Sequence, residues 1–143
     1  MRKWNLPLTY APKIQGVING TIRQTIRPGR KFATDDLVAF HGWEGKPYRS
    51  KWSFRTPYYK LLCVFPAVIY PNGMEIDFFG WGCDDIFPWD CLDNVARADG
   101  IDPPTGEGLR DVFSSMYRIP DTGKEAQIIR WGVPNVAKIE VVP

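Results

Sequence analysis

Apolar residues along this chain recur in two periods, and the periods sort it into helices and strands. Leu109, Val112, Phe113, Met116 and Tyr117 fall at i, i+3, i+4, i+7 and i+8, one apolar helix face, with Thr105 placed to cap its start. Pro12 suits a first helical position, Ile14, Val17 and Ile18 share a face, and Asn19-Gly20 ends the segment, so a short helix is predicted over 12–19. A further helix opens at Pro88, carries Leu92, Val95 and Ala96 at helical spacing and stops at Gly100. Strand patterns cover Ile22–Arg27, Leu37–Gly42, Trp52–Phe54 with Tyr59–Val64, Ala67–Ile69, Glu75–Phe79, Gln127–Trp131 and Lys138–Val142. They are short, rich in β-branched and aromatic residues, and separated by Pro and Gly. The expectation is an α+β fold, a small mixed β-barrel closed by about three short helices. Met116 and the aromatic stripes are expected in its core.

Composition narrows the class. The chain has 143 residues, 44% hydrophobic and 24% charged, which fits one globular domain and excludes a wholly disordered chain. The longest apolar run, Leu61 to Tyr70, contains Pro66 and is far too short to span a membrane. Arg2 and Lys3 lead into Trp-Asn-Leu-Pro rather than an apolar segment, so no signal peptide is read and the expected compartment is the cytosol. Three cysteines and one histidine, with no C-x-x-C pair, give no basis for a zinc site, and no metal or cofactor is expected. Cys63 reads as a small buried hydrophobe, and Cys83 and Cys91 as reduced thiols.

The net charge of +2 conceals an asymmetry. Residues 1–60 hold twelve Lys or Arg against three acids, a net +9, and residues 61–143 carry −7. A basic half of this kind is the electrostatic footprint of a phosphate-binding face, although pairing between the two halves would also account for it. Within the basic half, Arg23, Thr25 and Arg27 alternate along one strand face, two guanidinium groups flanking a hydroxyl, with Arg30 and Lys31 following. Such a face is costly to bury unpaired and is expected to meet solvent, an acidic partner or phosphate. From His41 to Arg55, cations alternate with aromatics. Lys46, Arg49, Lys51 and Arg55 can contact phosphates while Tyr48 and Trp52 stack on bases, unless Trp43 and Trp52 instead pack the core.

Ile18-Asn19-Gly20-Thr21-Ile22-Arg23-Gln24-Thr25-Ile26-Arg27 resembles the helix-to-strand signature of ASCH domains, G-x-K-x-x-E/T-x-R. Asp36-Leu37-Val38-Ala39-Phe40 resembles that family's next strand, and Ala96-Arg97-Ala98-Asp99-Gly100-Ile101 its A-x-x-E/D-G-hydrophobic corner. The Leu109–Tyr117 helix and Ile128-Ile129-Arg130-Trp131 follow in the same order, so the resemblance spans about 10–132. It implies a single ASCH, PUA-like domain over 1–143, with insertions at 43–57 and 77–88. It also implies a cleft that takes RNA, another single-stranded nucleic acid or a modified nucleoside. One type in the family hydrolyses the acetyl amide of acetylated cytidine with a Lys, a Thr and a Glu. Here its Thr falls on Thr25, its acid on Asp99 and its Lys on Ile22, which has no acid–base chemistry. The reading therefore favours a binding module, with a hydrolase (nucleoside amidohydrolase or ribonuclease) using Thr25 and Asp99, or a protein-interaction domain, as alternatives.

Overall fold

The computed structural model of the chain describes residues 1–43, 52–78 and 85–132. Its strands form one mixed sheet. β1 (Lys3–Pro7) runs parallel to β3 (Leu37–Trp43), and the other pairings are antiparallel. The main path runs from β2 (Gln24–Pro28) through β8 (Lys124–Trp131) and β5 (Tyr59–Tyr70) to β3 and β1. β4 (Trp52–Arg55) pairs with β3, while β6 (Gly73–Ile76) and the two-residue β7 (Phe87–Pro88) extend the sheet beyond β5.

The barrel expected from the short strands does not form. Among the described residues no ladder joins β1 to β2, so this is a large open sheet with three α-helices. Both end strands finish on a proline, Pro7 and Pro28, and a proline has no N–H to offer a ladder. What crosses from one to the other is a side chain: Arg27 Nη2 donates to the Pro7 carbonyl at 2.7 Å.

Each face of the sheet buries its own core. Ile26, Ile69, Met74, Ile76 and Ile128 pack beneath α2 (Asp93–Ala98) and α3 (Gly106–Met116), against Ala96, Leu109 and Phe113. On the other face Ile129 and Trp131 join Leu6, Phe40, Tyr59 and Leu61, with Val17 from α1 (Ala11–Asn19). Side chains alternate across a strand, so neighbours on β2 serve different layers.

The three helices fall where the periodicity puts them, with differences at their ends. α1 closes on Gly20, whose φ of 83° is the left-handed C-terminal conformation. Thr105 caps α3, its Oγ1 accepting from Gly108 N at 3.1 Å. The segment opened by Pro88 divides into a 3₁₀ turn over Trp89–Cys91 and then α2. Met116, the last residue of α3, is 46% exposed and lines a cavity beside β2, and is not core.

Among the strands, Tyr59–Val64 and Ala67–Ile69 are one long β5 running through Pro66. Pro66 sits just past the end of the β6 ladder, where its carbonyl accepts from Asp77 N, so its missing N–H interrupts no pairing with β8. β1 has no counterpart among the strands expected from the pattern. Cys63 is half-buried rather than buried, and Cys91 is exposed. Lys138–Val142, Phe79, Cys83 and most of the 43–57 loop lie outside the described residues. Among the described residues no helix is long and apolar enough to cross a membrane.

Candidate functional site

Three elements meet at the open seam beside β2. α1 supplies Lys13, β2 supplies Thr25, and the residue closing α2 is Asp99. Lys13 Nζ lies 2.9 Å from Thr25 Oγ1 and 3.2 Å from Asp99 Oδ2, with side chains of Lys13 and Asp99 only 7% and 4% exposed. Lys13 precedes the buried Val17 by four residues and so shares its inward face on α1. The approach is close: a Cβ added to Gly100, whose φ is 76°, would fall 2.7 Å from Lys13 Cβ. Glycine there admits both the backbone angle and the contact.

Burial acts on the pair in opposite senses. It pushes the Lys13 amine down from its ordinary value; the Asp99 charge pulls it back, Arg27 lowers it further, and the net shift is downward. Burial pushes Asp99 up, and although Lys13, the Gln24 amide and Arg27 all favour the anion, its net shift is upward. Asp99 Oδ1 is buried and accepts no hydrogen bond from the described residues. Arg27 is half-buried, with Nε 3.4 Å from Thr25 Oγ1. Behind it lies buried His41, whose pKa is lowered by burial and by the Arg27 charge.

The trio lines a cavity of about 40 Å³. That is room for a few waters, each needing about 10–15 Å³ by this measure. The mouth is uncharged apart from Arg27: Tyr10, Ile101, Val112, Met116 and Tyr117. Tyr10 Oη is held by Asp102, donating to its carbonyl and accepting from its N–H. Among the described residues no three His, Cys, Asp or Glu side chains converge as a metal site would need.

Of the residues singled out by the sequence, Thr25, Arg27 and Asp99 come together here. Thr25 is buried rather than facing solvent, and the basic strand face is only partly as expected. Arg23 precedes β2, is exposed, and donates through Nε to the Gly20 carbonyl; it takes no part in the cavity. Arg30 and Lys31 are exposed and line a separate open groove of about 1080 Å³. Arg55 is exposed on β4, opposite His41. Trp52 opens β4, while Lys46, Tyr48, Arg49 and Lys51 lie outside the described residues.

Ile22 packs against the α1-side core beside Gly16, away from the cavity. The amine at the site comes instead from α1, through Lys13. Sequence reasoning passed over this residue, although it is the one charged side chain in an otherwise apolar and neutral helix. No protein-family model, curated protein or solved structure matches this chain.

Proposed function

We propose that this chain is a small hydrolase that cleaves an acyl amide at the Lys13–Thr25–Asp99 trio. The observation that carries the reading is the buried 2.9 Å contact between Lys13 Nζ and Thr25 Oγ1, at the floor of a cavity of acyl-group size. The contact works in either direction: an ammonium donates to Oγ1, and a neutral amine accepts the Oγ1 proton. Because the amine is pushed downward, its neutral, proton-accepting form is more populated near neutral pH than in an ordinary lysine.

The chemistry follows from those positions. Lys13 takes the hydroxyl proton as Thr25 Oγ1 bonds to the acyl carbon, and the carbonyl pair moves onto oxygen. Arg27, its Nε 3.4 Å from Thr25 Oγ1, adds a second cation to the new Lys13 ammonium beside the developing oxyanion. Collapse breaks the C–N bond, and the Lys13 ammonium returns its proton to the leaving amine. A water then attacks the Thr25 ester with Lys13 again as base, releasing the carboxylic acid and restoring the hydroxyl. Asp99 holds the Lys13 amine toward Thr25 and steadies the ammonium between steps. The ASCH resemblance supports an amide of a nucleobase as substrate, and a mouth whose described lining carries Arg27 as its one charge favours a free nucleoside over a polynucleotide. Incubation with acetylated cytidine, followed by chromatography for cytidine and acetate, tests the reading; no turnover by the intact protein overturns it.

A second reading, surface binding of single-stranded nucleic acid, is favoured by one observation. The guanidinium groups of Arg2 and Arg30 both lie 5.9 Å from the centroid of the Trp4 ring, with exposed Lys31 next in sequence to Arg30. Phosphate contact by these cations requires affinity to fall as salt rises, and a flat salt response excludes it.

A further inference from the structure

Resting on the hydrolase reading of the same site, we infer that Gln24 and Arg130 are positioning residues for the Lys13–Asp99 pair. Gln24 and Thr25 are neighbours on β2, and strand alternation turns their side chains to opposite faces. Thr25 receives Lys13 from α1. Gln24, 2% exposed, turns toward α2, where its Nε2 lies 3.4 Å from the Val95 carbonyl. That carbonyl also accepts from Asp99 N at 3.0 Å. One dipeptide at the sheet edge therefore ties down both helices that carry the pair.

Arg130 decides which way the Gln24 amide faces. It sits directly opposite Gln24 in the β2–β8 register, and its Nε donates to Gln24 Oε1 at 2.8 Å. A guanidinium can only donate, so the amide oxygen must point to Arg130 and the NH₂ group toward α2 and Asp99. Arg130 is itself fixed over the Phe65 ring, 5.2 Å from its centroid. Turned this way, the NH₂ end of the amide lies on the α2 side with Asp99 and favours its charged carboxylate over the neutral acid. A charged Asp99 in turn keeps Lys13 protonated to higher pH. Reversed, the amide oxygen would face the carboxylate, and the pair would slide toward its neutral form. The other polar residues lining the cavity with the pair are Thr9 and Tyr10 ahead of α1, Thr25 and Arg27 from β2, and Tyr117 behind α3. Arg130 reaches the pair through its hydrogen bond to Gln24 Oε1, so changes at 130 are read through Gln24.

The test reads Lys13 itself rather than turnover. Protein carrying ¹³C-labelled lysine is titrated by NMR, with the Lys13 signal assigned by its loss in Lys13→Met. Gln24→Met should lower the Lys13 midpoint, because Asp99 loses the amide that favours its charged form. Arg130→Met should shift it the same way by less, and Arg130→Lys, which keeps a donor, should restore it. If Gln24→Met does not fold, the two Arg130 variants carry the test, since that side chain is only half-buried. An unchanged midpoint in folded Arg130→Met overturns the inference. Shifted midpoints in a protein without hydrolase activity would overturn the proposed reaction and leave the positioning intact.

Discussion

At the scale of single residues, the site works against the stability of the protein that holds it. Lys13 has its folded pKa depressed, so the stability it contributes is present above its unfolded value of 10.5 and lost as pH falls through the folded one. Asp99 has its pKa raised, so its contribution is present below 3.8 and lost as pH rises through the folded value. Both contributions are thus lost toward the middle of the pH range, and a buried ion pair of this kind is commonly replaceable by apolar groups at no loss. Urea denaturation at neutral pH should show Lys13→Met and Asp99→Leu each costing about 3–5 kcal/mol, since each strands the other charge. The double variant should equal the wild type or exceed it by about 1–4 kcal/mol. A double variant weaker than either single one would mean the pair is a structural clamp. Catalysis reads the same amine from the other side: the logarithm of kcat/KM should climb with pH to a plateau at a midpoint below the ordinary lysine value, and a profile flat from acid to alkaline pH would remove Lys13 as the base.

Among the elements, what was legible in the sequence divides by the range of the interaction. The Thr105 cap and the Leu109, Val112 and Phe113 part of the α3 stripe are local features and stand as expected, whereas Met116 is exposed and Tyr117 falls just past the helix. Thr105→Ala should accordingly lower stability by about 1 kcal/mol, measured by thermal or urea unfolding, because Gly108 N loses its acceptor. No change would mean that α3 is held by Leu109 and Phe113 alone. Where pairing partners are distant, the pattern misled. Arg23 alternates correctly with Thr25 and Arg27, yet the strand begins one residue after it, and an exposed turn residue contributes nothing to the cavity. Lys13 was hidden for a related reason. The helix around it was visible, but a lysine at a helix start ordinarily points to water, and only the arrival of β2 and the α2 terminus over it makes it a buried amine. β1 is five residues of mixed character whose strand identity comes from its parallel pairing with β3.

Over the whole molecule, the open sheet is what creates the site. Local periodicity specified strands and helices but not whether the sheet would close, since closure depends on pairing between β1 and β2, the strands at opposite ends of the path. Ending both on proline leaves a seam; Arg27 bridges it, and the ends of α1, α2 and α3 converge on the cavity beside it. The charge asymmetry of the chain has its own consequence on the surface. If Arg30 contacts phosphate beside Trp4, Arg30→Ala should lower the salt slope of single-stranded RNA binding by about one without affecting hydrolysis. Equal slopes in the two proteins would take Arg30 out of any such interface. The central claim is that Lys13 activates Thr25, and the most direct measurement is hydrolysis of acetylated cytidine by the wild type, Thr25→Val and Lys13→Met under identical conditions. The account predicts release of cytidine and acetate by the wild type, with both variants at least ~100-fold slower while remaining folded by circular dichroism, in keeping with loss of a nucleophile or its base. Turnover that persists undiminished in folded Lys13→Met would contradict it.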